Sequence, residues 1–240
     1  MIYALIQVLT AALCLVLYRS IRQHAVWYYA GCFAITALFF YGAFFELPDA
    51  VWRPLFYLIQ QCMWGMAFFV VVMFVGALPK GLKAAQNLRS IRGELSIIAW
   101  ILCLGHLIYL KVIPPLVQVA LNLGFAMPAA VAGLVVSLIL LALLVVLGVT
   151  SFRFVKRRMS AKAWKAVQWW AYPFYALVYI HLVLMLGPSM LQGSATSIVS
   201  VSVYTAIFGA YTVLRVRRAL LDRRAATAER HLDPAVGTAR

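Results

Sequence analysis

Seven runs of apolar residues, separated by short polar joins, govern what this chain can fold into. They fall at about residues 2–18, 25–45, 55–78, 95–113, 131–150, 164–187 and 197–214. A helix rising ~1.5 Å per residue needs about 20 residues to cross a hydrocarbon core of ~30 Å, so each run reads as a transmembrane helix. Composition agrees: 65% hydrophobic residues, 11% charged residues and a mean hydropathy of +0.95 leave too little polar surface for a water-soluble globule. The expected fold class is therefore all-α, a polytopic membrane helix bundle of about seven transmembrane helices in a lipid bilayer. No basic residue precedes the first run, and Tyr18-Arg19-Ser20 after it is not a small-residue cleavage site, so it counts as a helix rather than a signal peptide.

The net charge of +15 acquires its meaning once the basic residues are placed on the joins. Arg19 and Arg22 follow the first run, Lys80, Lys83, Arg89 and Arg92 the third, Arg153 to Lys165 the fifth, and Arg215 to Arg240 the seventh. Of 21 basic residues only Arg53 and Lys111 lie on the alternate joins. By the positive-inside rule the N-terminus is outside and the C-terminus cytoplasmic. Orientation and anionic lipid headgroups account for the charge, and no nucleic-acid partner is expected.

What the apolar runs lack also narrows function. All six acidic residues, Glu46, Asp49, Glu94, Asp222, Glu229 and Asp233, sit in joins, at helix ends or in the tail, which disfavours proton pumps and ion-coupled transporters. The last run carries no lysine for a retinal Schiff base. No Gly-rich dinucleotide motif and no long soluble segment is present, so any redox role takes its electrons from a quinol or a reductase partner. Cys14, Cys32, Cys62 and Cys103 lie within apolar runs without C-x-x-C spacing and read as small packing residues.

Two of the four histidines, His106 and His181, lie inside apolar runs, where a titratable group is a candidate functional site. His106 precedes Pro114 by eight residues and His181 precedes Pro188 by seven, which places both roughly 11 to 12 Å below one membrane face. Such a pair suits the axial ligation of a b-type haem, and equally two unrelated histidines satisfied by other hydrogen bonds. Ala99, Cys103 and Gly105 leave room beside His106, and Phe174, Leu177, Val178, Leu184 and Met185 form an apolar wall beside His181. For the second ring nitrogen of each imidazole the candidate partners are a carbonyl four residues earlier, Tyr109 or Tyr179. His24 and His231 read as interfacial and solvated.

The stretch Leu147-Gly148-Val149-Thr150-Ser151 with its basic continuation to Ser160, then Trp164-Lys165 and Ala171-Tyr172 through His181, resembles the ferric reductase-like transmembrane domain. Within that family it is most similar to the haem-binding membrane subunit of periplasmic methionine sulfoxide reductase systems, the MsrQ/YedZ group. The segment Arg89 to Tyr109, with Gly93 and Gly105-His106-Leu107, resembles the family's other haem helix. The similarity covers roughly residues 60–215. It implies a haem b (heme b) with iron ligated by His106 and His181, Arg92 as a propionate contact, and a multi-pass protein of the bacterial inner membrane. The chain departs from the family pattern at Gln168, where a further histidine is common, so one haem near the outer face is expected rather than two.

These expectations divide the chain into N-terminal helices (1–54), a ferric reductase-like core (55–215) and a basic cytoplasmic tail without ordered structure (216–240). The implied role is that of an electron-transfer subunit rather than a complete enzyme. Electrons pass from a quinol, or from a cytoplasmic partner carrying flavin, through the haem to a redox partner protein at the outer face. A haem-free membrane subunit or small-solute permease that keeps the fold is the alternative.

Overall fold

The structure, a computed structural model, describes residues 2–108, 117 and 128–232. Among these residues every regular element is helical: α1 (Ile2–Gln23), α2 (Ala25–Phe44), α3 (Asp49–Leu55), α4 (Met63–Ala77), α5 (Lys83–Ser90), α6 (Arg92–His106), α7 (Pro128–Val149), α8 (Arg153–Arg158), α9 (Ala161–Trp169), α10 (Ala171–Leu191) and α11 (Ala195–Leu232). Among the described residues six spans are long and apolar enough to cross a membrane: Ile2–Gln23, Ala25–Phe44, Asp49–Ala77, Ala132–Ser151, Ala161–Leu191 and Ala195–Arg224. The fourth expected helix is α6, and its continuation toward residue 113, with Tyr109, Lys111 and Pro114, lies outside the described residues. The protein is a multi-pass bundle whose exposed side chains, Val16, Val26, Phe33 and Val213 among them, are suited to a lipid environment and not to water.

Helix α6 is the axis of the bundle, packed against α2 and α4, while α10 packs on α7 and α11, and α1 on α4. Lipid tails are as apolar as leucine, so close packing rather than water expulsion holds such helices together, and small residues mark the contacts. A Cβ on Gly65 of α4 would stand 2.5 Å from Cys103 Sγ of α6, and one on Gly105 of α6 would stand 2.8 Å from Ile59 and 3.1 Å from Thr36. Gly105 therefore serves the contact of α6 with α2 and with the turn before α4, not the space beside His106. On α7, Gly148 receives the indole of Trp100 from α6, which a side chain at 148 would displace. Phe39 of α2 is fully buried and stacks on Trp52 of α3 with ring centroids 5.8 Å apart.

The four basic segments meet at one end of the bundle. Lys80 pairs with Asp222 at 3.2 Å, Arg215 donates to the Tyr172 hydroxyl at 2.6 Å, and Arg19 and Arg22 border the same crevice as Gln86 and Asn87 of α5. Arg89 donates to the Leu78 carbonyl at 2.7 Å, covering a terminal carbonyl that α4 leaves open. Arg153 forms an ion pair with Glu94, whose carboxylate is buried in the first turn of α6. The hydrogen bond that Arg153 donates to this carboxylate, and then the carboxylate's charge, raises the Arg153 pKa above its ordinary value.

Three expectations from sequence are corrected. The 55–78 run is not one helix: a π turn at Phe56–Gln60 and a left-handed Cys62 (φ 55°) separate α3 from α4. Pro188 does not end its helix, because α10 continues to Leu191 with the proline in its last turn. Residues 216–232, expected as an unordered tail, extend α11 to Leu232. Alanine, leucine and arginine favour helix there, and Arg218 pairs with Asp222 one turn on at 2.8 Å.

Candidate functional site

His106 at the end of α6 and His181 in the middle of α10 line one cavity of about 350 Å³. Both side chains are half-buried. The rest of the lining is largely apolar, with Phe69, Leu140, Leu144, Phe174, Val178 and Met185 prominent. The volume falls in the range of ~300 to 1,000 Å³ typical of cofactor sites. Three of the five residues expected as a wall beside His181, namely Phe174, Val178 and Met185, border it.

The local fold explains how His106 is held. In an uninterrupted helix the Gln60 carbonyl would accept from the amide four residues on. Here the π turn and the left-handed Cys62 break that ladder, and the Gln60 carbonyl accepts from His106 Nδ1 at 2.5 Å. A carbonyl has no proton to give, so Nδ1 carries the hydrogen and a neutral ring has its lone pair on Nε2. A non-glycine residue in the left-handed region costs on the order of 1–2 kcal/mol, which the surrounding packing sustains.

His181 follows the same logic with a side-chain partner. Its Nδ1 lies 3.5 Å from Ser137 Oγ of α7, at the long end of hydrogen-bond range. Ser137 donates its own proton to the Gly133 carbonyl at 2.7 Å, so toward the imidazole its oxygen is the acceptor. The partners in the structure are thus Gln60 and Ser137, from other helices. Tyr179 instead shares a hydrogen bond with Thr205 at 2.9 Å, and Tyr109 lies outside the described residues. Sequence carried signals for both partners: Gln60-Gln61 is a polar pair inside an apolar run, and Ser137 is the only hydroxyl between residues 131 and 149.

Arg92 is not in this cavity. It opens α6 at the basic end, fourteen residues and roughly 21 Å from His106 along the helix. There it borders a smaller cavity of about 90 Å³ with Ser96, Trp100, Gln168 and Arg215, and no imidazole is in that lining. Gln168 is committed elsewhere, its amide donating to Thr150 Oγ1 at 3.0 Å while Trp164 Nε1 donates to the Thr150 carbonyl at 3.1 Å. Lys156 stands over the Trp164 ring at 4.2 Å. The Thr-Ser turn, the basic loop and the tryptophan form one clamp between the end of α7 and α9. His24 is exposed between α1 and α2, and the His231 side chain lies outside the described set.

Among the described residues no three histidine, cysteine or acidic side chains form a metal cluster.

No family model matches the chain, and no solved structure does. An uncharacterized protein of Treponema pallidum (strain Nichols) is 40% identical over 181 residues, which is 73% of this chain and 48% of that protein. The chain thus spans about half the length of this relative.

Proposed function

We propose that the protein is a membrane cytochrome b that carries electrons between a donor and an acceptor at the outer face, with His106 and His181 as the residues that would hold one haem b. A single observation supports this most: two histidines from different helices line one cavity, each with an acceptor at Nδ1 that favours Nε2 as the ligating nitrogen. The donor set fits the group, because neutral imidazoles, an apolar lining and an acceptor at each Nδ1 are what low-spin haem ligation requires. Bound there, the haem supplies one-electron chemistry at the iron. The chain orients the two imidazoles, fixes their tautomer and excludes water with Phe69, Phe174 and Leu144. A haem held by His106 and His181 would supply electron transfer rather than oxygen activation.

Applied to this bundle, the positive-inside rule puts the end gathered by Lys80, Arg153 and Arg215 in the cytoplasm and the histidine cavity toward the opposite face. Gln168 and Arg92 at the cytoplasmic end supply no second pair of imidazoles, so one haem per chain is the stoichiometry of this proposal. A quinol, or a cytoplasmic flavin-bearing reductase, is the donor class. The resemblance to haem-binding subunits of the ferric reductase-like group and the bacterial inner membrane belong to the same proposal.

Replacing each histidine tests it. His106→Ala and His181→Ala each abolish the low-spin reduced spectrum of protein purified from haem-supplied cells, whereas Gln168→Ala retains it. Unchanged haem content in both histidine variants would overturn the assignment and favour the haem-free subunit or permease.

A further inference from the structure

Beside the histidines, the same cavity is lined by two cysteines that the proposed cytochrome role does not use. Cys62 and Cys103 lie 41 positions apart in sequence, yet their sulfurs are 3.4 Å apart, a contact between the start of α4 and the last turn of α6. Gly65 permits it, since a Cβ there would stand 2.5 Å from Cys103 Sγ and 3.5 Å from Cys62 Sγ. Cys62 is the one non-glycine residue with positive φ among the described residues, and it follows the π turn rather than sitting within a regular helix. A bond requires the sulfurs to close from 3.4 Å to the ~2.05 Å of a disulfide, at a point where the regular helix is already interrupted. Cys103 is only 7% exposed, so an aqueous oxidant has little access to the pair.

We propose that Cys62 and Cys103 are a redox-active dithiol that closes to an intramembrane disulfide on oxidation by a lipid-soluble quinone. Two S–H bonds break and one S–S bond forms. The two electrons and two protons released convert the quinone to its quinol, so the step balances without a further reactant. A quinone is the class that fits, because the oxidant must take two electrons together and must dissolve in the bilayer. The electron balance of the step involves no haem, although the thiols share the cavity proposed to hold it. Its consequence falls on the site all the same, since Cys62 follows Gln60, the His106 acceptor, by two residues, and Cys103 precedes His106 by one helical turn. Closing the bond ties together the two segments that hold that imidazole.

The test exposes the reduced full-length protein, in lipid nanodiscs, to a fully ring-substituted short-chain ubiquinone to which no thiol can add. Acid quenching, maleimide labelling under denaturation and peptide mass spectrometry then count the thiols. The expected result is loss of two of the four thiols together, one quinol formed per chain and a Cys62–Cys103 linked peptide, with Cys14 and Cys32 still labelled. Cys62→Ser and Cys103→Ser each prevent quinol formation. Full labelling of all four thiols after quinone treatment, or linkage between chains, would overturn the pair. Closure by diamide but not by the quinone would overturn the oxidant. Parallel haem-free and haem-loaded samples separate failure of this step from failure of the cytochrome assignment.

Discussion

Replacing Arg153 by alanine removes the partner of a carboxylate that the bundle keeps from water. The Glu94 side chain is 8% exposed and that of Arg153 is 70% exposed, so the pair is half way between a buried and a surface ion pair. Breaking a fully buried pair costs ~3–5 kcal/mol, and an exposed one is worth ~0–1 kcal/mol. Discounting for the water that reaches Arg153, its loss should cost about 1–2 kcal/mol. Glu94→Gln should cost less, roughly 0.5–1 kcal/mol, because the amide still accepts a hydrogen bond and nothing charged is left buried. The double variant should be more stable than Arg153→Ala alone, since the stranded charge is gone. Equilibrium unfolding in mixed micelles, followed by circular dichroism, gives the three values and the coupling between them. Additive losses, or an Arg153→Ala protein as stable as wild type, would refute the claim that this pair anchors the start of α6 to the loop after α7.

Other outcomes follow from the same geometry. Gly65→Ala should destabilise by about 1–3 kcal/mol, because the added methyl meets Cys103 Sγ at 2.5 Å and its backbone nitrogen at 3.3 Å; micelle unfolding measures it. Ser137→Ala should weaken haem retention ~10- to 100-fold, the usual effect of losing a partner behind a ligating imidazole, as read by haem transfer to apomyoglobin. Gln168→Ala should cost about 0.5–1.5 kcal/mol through its lost bond to Thr150, with the reduced absorption spectrum unchanged.

Much of the bundle is legible in the sequence because lipid imposes so few solutions: the described parts of the long apolar runs are helical, with a break inside 55–78, and the basic joins alternate. What escapes is local. Gln60-Gln61-Cys62 marks a break, but no periodicity shows that the freed carbonyl would face His106. Gly105 reads as open space beside the histidine, whereas its missing side chain admits Ile59 and Thr36 from the other side. The engagement of Gln168 by Thr150 depends on the turn that brings α7 and α9 together, which no sequence pattern shows. The α11 extension was hidden by its charge, since a basic polar segment reads as a tail although its residues are good helix formers.

The most direct test of the central claim is the dithionite-reduced minus oxidised absorption spectrum of the purified full-length protein, with haem counted per chain by pyridine haemochromogen. The account predicts sharp low-spin b-type bands and about one haem per chain. Protein from haem-supplied cells that shows no such bands would contradict it.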